Sequence, residues 1–344
     1  MHTVPNNINL LLKNLIEEKK VPGLAISVWK DGDTIFQKGY GYANLETEEP
    51  VLPKKTIFRI ASISKPIAAT ALAHMVIDGL IDLDASFYDY VPYYPKKKWD
   101  FTIRQLAGHT AGIRGYRGIE YGLNKTYTIK ESIALFKDDD LLFKPGTGYM
   151  YTSFDWVLIS LAMQEVSGIS FKDYVQEKVL IPLSMKSTIA PPVSGVLHNE
   201  KVTAFYSKGK LGFRKAIPVN NYYKLAGGGF LSTAEDITKL GTTYLNKLLS
   251  QEIYKNQFLK METVAGKPTY YGLGWQVSLD SKGRNFYGHI GNAVGGYSNF
   301  FIYPDEKMVF TILINCTDPK IQPELDEVVN LFIEESLGNL SPKV

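Results

Sequence analysis

Apolar residues recur at helical spacing at Leu11, Leu12, Leu15 and Ile16, which predicts an amphipathic helix over 9–20, closed before Pro22-Gly23. Apolar stretches over 24–29 and 34–40 flank the turn Lys30-Asp31-Gly32-Asp33 and read as a hairpin. A continuous apolar, helix-forming run covers 67–77 and stops at Asp78-Gly79, before a short aromatic, proline-punctuated segment over 80–95. Helical spacing returns over 129–136 and again over 156–166, where Ser167-Gly168 ends it. Segment 171–190 reads as helix and then irregular chain up to Pro191-Pro192. Short strands are predicted over 202–206 and 211–217. Ser232-Thr233-Ala234-Glu235 reads as a capping box opening a helix over 236–248.

The last hundred residues read as strands over 271–277, 284–289, 297–303 and 308–315, with hairpin turns at Asp280-Ser281-Lys282-Gly283 and Pro304-Asp305-Glu306-Lys307. An amphipathic helix over 322–337 closes the chain. Strands near both ends with helices between them predict an α/β protein, an antiparallel sheet flanked by N- and C-terminal helices. We expect a single domain over 1–344 with a mostly helical subdomain inserted at about 80–200. There are no internal repeats, and no linker long enough to divide the chain.

Composition narrows the function classes. The 344 residues are 45% apolar, enough for a large core, and the net charge is +3 from 38 basic and 35 acidic residues. The basic clusters Lys19-Lys20, Lys54-Lys55 and Lys96-Lys97-Lys98 are short and scattered, so nucleic-acid binding has no support. The single cysteine, Cys316, cannot form an internal disulfide and reads as a buried strand thiol. Met1-His2-Thr3-Val4-Pro5 has neither a basic nor an apolar leader region, and no stretch reaches the roughly 18 apolar residues of a membrane span. A soluble protein is expected, cytoplasmic as written, or periplasmic or secreted if a leader has been removed; the compartment stays open.

Candidate chemistry is concentrated in Phe58-Arg59-Ile60-Ala61-Ser62-Ile63-Ser64-Lys65-Pro66. Pro66 lacks an N–H and is tolerated only where a helix has just begun, so Ser62 to Lys65 stand at a helix mouth. Ser62 and Lys65, three apart, share a face. A lysine kept neutral by burial can accept the proton of a serine hydroxyl, and the helix N-terminus suits a developing oxyanion. Ser64 is the rival nucleophile, on a different side from Lys65. Tyr151, at a loop-to-helix boundary, can project its phenol into a cleft. The five histidines, His2, His74, His109, His198 and His289, show no paired ligand spacing, so no metal is expected and His109 reads as a hydrogen-bonded structural histidine. Gly39-Tyr40-Gly41-Tyr42 opens no helix and is no nucleotide loop. No cofactor is implied. Ala226-Gly227-Gly228-Gly229-Phe230 permits close backbone approach.

Three elements in fixed order, F-R-I-A-S-I-S-K over 58–65, Tyr151-Thr152-Ser153 after Pro145-Gly146, and His289-Ile290-Gly291 on a late strand, resemble the penicillin-binding-protein and class C β-lactamase superfamily. Further stretches, His109-Thr110-Ala111-Gly112-Ile113-Arg114, Phe143-Lys144-Pro145-Gly146, 223–233 and 289–295, look most like its mitochondrial serine β-lactamase-like branch and bacterial relatives. The likeness runs from about Val21 to Asn315. It implies an acyl-enzyme mechanism with Ser62 as nucleophile, Lys65 as its proton partner and Tyr151 as a second base; which of the two bases is primary stays open. It further implies an oxyanion hole from the N–H groups of Ser62 and Asn292, next to Gly291. Ser153 stands where the family carries Asn, and His289 where it usually carries Lys. A neutral histidine would hold a substrate carboxylate weakly at pH 7 and better once protonated; Arg114 or Lys224 are the alternative cations.

The expected function is a serine hydrolase cleaving a peptide or amide, with a carboxylesterase as the alternative in the same class. A catalytically weak binding or assembly protein is the alternative from another class. No Gly-x-Ser-x-Gly occurs, which disfavours an α/β-hydrolase. The expected partner is a small-molecule or peptide substrate, and a homo-oligomer is left open.

Overall fold

Residues near the two ends of the chain are apolar at consecutive positions because the strands they form are covered on both faces. The computed structural model describes residues 6–338, so Met1 to Pro5, read above for leader features, lie outside the described residues. Strands β1 (Gly23–Lys30), β2 (Asp33–Asn44), β3 (Glu49–Pro50), β4 (Gln276–Leu279), β5 (Asn285–Ala293), β6 (Gly296–Tyr303) and β7 (Met308–Ile314) form one antiparallel sheet. Their order is β4-β5-β6-β7-β1-β2-β3, so the N-terminal hairpin joins the C-terminal strands through the β1–β7 pair. Its register sets Leu24 opposite Ile314 and Val28 opposite Phe310.

Alternate residues of these strands serve two cores, as the period of two requires. Leu24, Ile26, Val28, Phe310 and Ile312 pack with Ile8, Leu12 and Leu15 of α1 (Asn6–Glu17), and with Leu325, Val328 and Phe332 of α5 (Gln322–Gly338). Ala25, Trp29, Phe300, Val309 and Leu313 face the larger core, built on α2 (Ser64–Ile77), α3 (Ser153–Ser167) and α4 (Ala234–Thr243). Cys316 is buried and unpaired. No helix among the described residues is long and apolar enough to cross a membrane.

Several boundaries differ from the sequence expectation for local reasons. The strand expected over 271–277 begins only at Gln276. Before it the chain curls on itself: Gly272 N–H donates to the Trp275 carbonyl at 2.8 Å, and Gly274 has φ +82° with the Trp156 ring where a side chain would sit. The strands expected over 202–206 and 211–217 are Tyr206–Gly209 and Gly212–Lys215. Thr233, not Ser232, caps α4, its hydroxyl accepting from Asp236 N–H at 3.2 Å.

Candidate active site

Ser62 sits in a short 3₁₀ turn, Ala61–Ile63, that runs directly into α2. Lys65, the second residue of α2, follows Ser62 by three positions across this junction, and that helical spacing sets the two side chains on one face. Ala61, just before the nucleophile candidate, has φ +55°, a strained value for a residue with a side chain. The turn is held from both sides. The Ser298 hydroxyl donates to the Ile60 carbonyl at 2.8 Å, and Gly291 and Gly228 press their backbones against Ala61. A Cβ on Gly291 would lie 2.5 Å from the Ile60 carbonyl oxygen, so β5 reaches the turn only because that position is glycine.

Ser64, the rival nucleophile, is fully buried, and its hydroxyl accepts from Phe230 N–H at 3.2 Å. It is fixed within the fold by that contact. The Lys65 Nζ lies 3.2 Å from Ser62 Oγ, 2.6 Å from the Tyr151 hydroxyl and 2.6 Å from the Gly227 carbonyl. The Tyr151 hydroxyl donates to Ser62 Oγ at 3.0 Å, closing a triangle of three polar side-chain atoms. Burial lowers the Lys65 ammonium to about 7, with Lys224 adding to the fall and Asp155 opposing it. The Tyr151 phenol is pushed above its ordinary range, again by burial of the hydroxyl end, although the residue as a whole is 38% exposed. At neutral pH a half-deprotonated amine therefore touches both hydroxyls, and the amine is the better proton acceptor.

Tyr151 is aimed by a clamp that the sequence did not reveal. His109 accepts from Met150 N–H through its carbonyl at 2.9 Å, and its Nδ1 lies 3.4 Å from Thr152 N. These contacts flank Tyr151, whose ring centre is 4.6 Å from that of His109. His109 Nδ1 lies 2.6 Å from Asp155 Oδ2, and both side chains are buried. Burial drives the imidazole down and the carboxyl up, so each partner is biased toward its uncharged form. The structural role expected for His109 fits this geometry. Asp155 had no distinguishing signal, because an acid in the first turn of a helix is common for dipole reasons alone.

His289 departs from its expectation. The family likeness implies a residue that holds a substrate carboxylate from the cleft; β5, which carries His289, is covered by β4 over 285–288 and bare from 289 onward. The side chain turns inward and is 1% exposed, with Nε2 at 2.9 Å from the Tyr271 hydroxyl and Nδ1 at 2.6 Å from the Ile290 carbonyl. Burial, with Lys65 nearby, lowers its pKa to about 3, so it does not become the cation expected on mild acidification. Tyr271, expected in a strand, is its buried partner.

Along the bare edge, Ile290 N–H donates to the Gln276 side chain at 3.1 Å, and Asn292, two residues on, presents its N–H from the same edge. Asn292 and Ser62 line one cleft together with Ser153, Lys224 and Gly227. Ser153, the first residue of α3, packs its Cβ so close to Gly227 that a side chain there would clash at 2.9 Å. Of the alternative cations, Arg114 is consumed by Glu120 at 2.7 Å and Asp139 at 2.6 Å, whereas Lys224 opens on the cleft. No group of three metal-ligating side chains occurs among the described residues. The site can therefore supply a nucleophile, a proton acceptor, a proton relay and two backbone donors.

A family model described as Beta-lactamase matches residues 8–332. The human mitochondrial serine beta-lactamase-like protein LACTB is 28% identical, the alignment covering 88% of this chain and 72% of that protein. The octameric penicillin-binding protein homologue of Pyrococcus abyssi superposes with a TM-score of 0.81 at 27% identity, over 95% of this chain and 77% of that one. A D-amino acid amidase of Ochrobactrum anthropi reaches 0.84 at 19% identity, over 96% and 99%, a likeness of fold.

Proposed function

The chain belongs to the beta-lactamase family, and from that premise we propose that it is a serine hydrolase that cleaves a peptide or amide through an acyl-enzyme. The observation carrying this reading is the triangle of Ser62 Oγ, Lys65 Nζ and Tyr151 hydroxyl, with sides of 2.6, 3.0 and 3.2 Å. Neutral Lys65 keeps one N–H on the Gly227 carbonyl and takes the Ser62 proton on its lone pair as Ser62 Oγ attacks the substrate carbonyl carbon. The N–H groups of Ser62 and Asn292 receive the developing oxyanion. The proton then passes from Lys65 through the Tyr151 hydroxyl to the leaving nitrogen, the C–N bond breaks, and an ester to Ser62 remains. Water reverses the sequence: it gives its proton to the same relay, attacks the ester carbonyl and releases the acid and free Ser62.

In this reading Lys65 is the primary base, because burial brings its pKa to neutrality while it raises that of Tyr151. One catalytic domain with a helical subdomain at about 80–200 completes the proposal. The octamer named for the Pyrococcus abyssi homologue makes self-association worth measuring by light scattering. Labelling with a neutral fluorophosphonate, followed by peptide mapping, tests the core of it. The adduct is expected on Ser62 and absent from Ser62→Ala; an unlabelled wild type, or an adduct elsewhere, rejects the reading.

A further inference from the structure

Lys224 is a buried amine on the wall of the nucleophile's cleft, and among the described residues it has no acid to pair with; burial, with Arg59 nearby, lowers it to about 7, so near neutrality about half of it is ammonium, the form a bound anion would favour. Its side chain belongs to a residue only 7% exposed, in a short turn, Tyr222–Lys224, that leads into the glycine run beside Ser62. Nζ donates to the Tyr121 carbonyl at 3.2 Å, and the rings of Tyr116, Tyr121 and Tyr223 lie 4.9, 5.7 and 5.6 Å from it. Among the described residues no carboxylate lies within 4 Å of it, in contrast to Arg114 with its two acids. The neighbouring cation, Arg59, stacks on Phe205 at 3.8 Å and donates to the Val294 carbonyl at 2.6 Å, so it too brings positive charge without an acid.

An ammonium taken out of water costs several kcal/mol, and a structural lysine recovers that by pairing with a carboxylate. One carbonyl and three aromatic faces recover only part of it. Two of the three Nζ protons remain for a ligand. The cleft that Lys224 lines is also lined by Ser62, Asn221 and Asn292, and it opens to solvent. A group bound to Lys224 is thus close to the bond that Ser62 would attack.

Building on the serine-hydrolase reading, we propose that Lys224 receives a carboxylate carried by the substrate near its scissile bond, and so selects anionic acyl compounds over neutral ones. The role vacated by the inward-turned His289 passes to a residue that arrives from a different part of the chain. Lys224 acts on binding and orientation; proton transfer stays with Lys65 and Tyr151.

The test uses mono-4-nitrophenyl adipate and pimelate, each with a free carboxylate, against their methyl esters, with enzyme-free rates subtracted. The quantity read is the acid-to-methyl-ester ratio of kcat/KM within one preparation, which cancels any loss of folded protein. A charge-assisted hydrogen bond is worth about 10–150-fold, so the wild-type ratio is expected at tenfold or more for at least one chain length. It is expected to fall toward one in Lys224→Met and to persist in Lys224→Arg. A wild-type ratio of one or less at both chain lengths overturns the proposal without any variant, and a preference that survives Lys224→Met overturns it as well. Fluorophosphonate labelling separates the two layers. A wild type that labels on Ser62 yet ignores charge sinks only the Lys224 assignment, whereas one that does not label sinks the hydrolase reading beneath it.

Discussion

Lys65 Nζ stands 2.6 Å from the Tyr151 hydroxyl oxygen, although the two residues are 86 positions apart, and each is pushed by burial toward its uncharged form. Burial disfavours both the ammonium and the phenolate, so the pair rests as amine and phenol, and the amine is the group that takes up a proton first. Keeping it neutral lowers stability, which makes the pair measurable.

The Lys65 amine, lowered to about 7 in the fold, is charged in the unfolded chain up to its ordinary 10.5. Over that interval the unfolded state binds a proton that the native state does not, so stability falls as pH falls from about 10.5 to 7. Below 7 the native lysine is protonated too and the loss stops growing. The shift corresponds to about 4 kcal/mol at neutral pH. Lys65→Met is therefore expected to raise Tm at pH 7 and flatten its alkaline pH dependence while abolishing labelling. For the wild type, kcat/KM should rise with pH through about 7. A Lys65→Met protein of lower Tm with an unchanged pH profile contradicts this account.

Tyr151→Phe removes the relay oxygen and keeps the ring against His109. We expect kcat to fall by about 10²–10⁴ with KM little changed, since a positioned proton carrier acts on the transition state. Retention of near wild-type kcat on an amide would leave the tyrosine with a packing role alone.

Ser64→Ala should label as the wild type does, because Ser64 is spent on Phe230 N–H. Leaving that buried N–H unpaired costs about 1–3 kcal/mol, so a lowered Tm with intact labelling is the expected signature. Loss of labelling at undiminished Tm would return Ser64 to candidacy as nucleophile.

His289, lowered to about 3 by burial, stays neutral wherever its unfolded counterpart, near 6.5, has taken up a proton. Stability is thus expected to decline as pH falls below 6.5 and on toward 3, and His289→Gln should shallow that decline. His289→Gln should leave the pH dependence of the acid-to-ester preference between pH 8 and 5.5 as it is in the wild type, since in that interval Lys224, lowered to about 7, is the group that gains charge. An NMR titration of the His289 ring with a midpoint above 5 would refute both statements.

The strands at the two ends of the chain were legible because burial on both faces writes itself as a run of apolar residues, as in 308–314. The turn at Gly274 was not, because its shape answers to Trp156, a residue far away in sequence. Likewise, Ser62 and Lys65 announce their relationship through a spacing of three, while the contact of Tyr151 with both depends on the His109 clamp, which is made of one carbonyl and one ring nitrogen from a distant loop.

By itself the sequence determined the alternating and continuous apolar patterns that build an antiparallel sheet between helices, and the serine–lysine spacing at a helix mouth. Those are local properties, set by the backbone period and by which side chains share a face. Only the tertiary structure decided what covers each group. It turned His289 inward against Tyr271, tied Arg114 to Glu120 and Asp139, and left Lys224 on the cleft with no acid beside it among the described residues. Desolvation and pairing depend on every element that packs against a side chain, and those elements come from all along the chain, so charge state and access at the site are fixed only once the whole fold has closed.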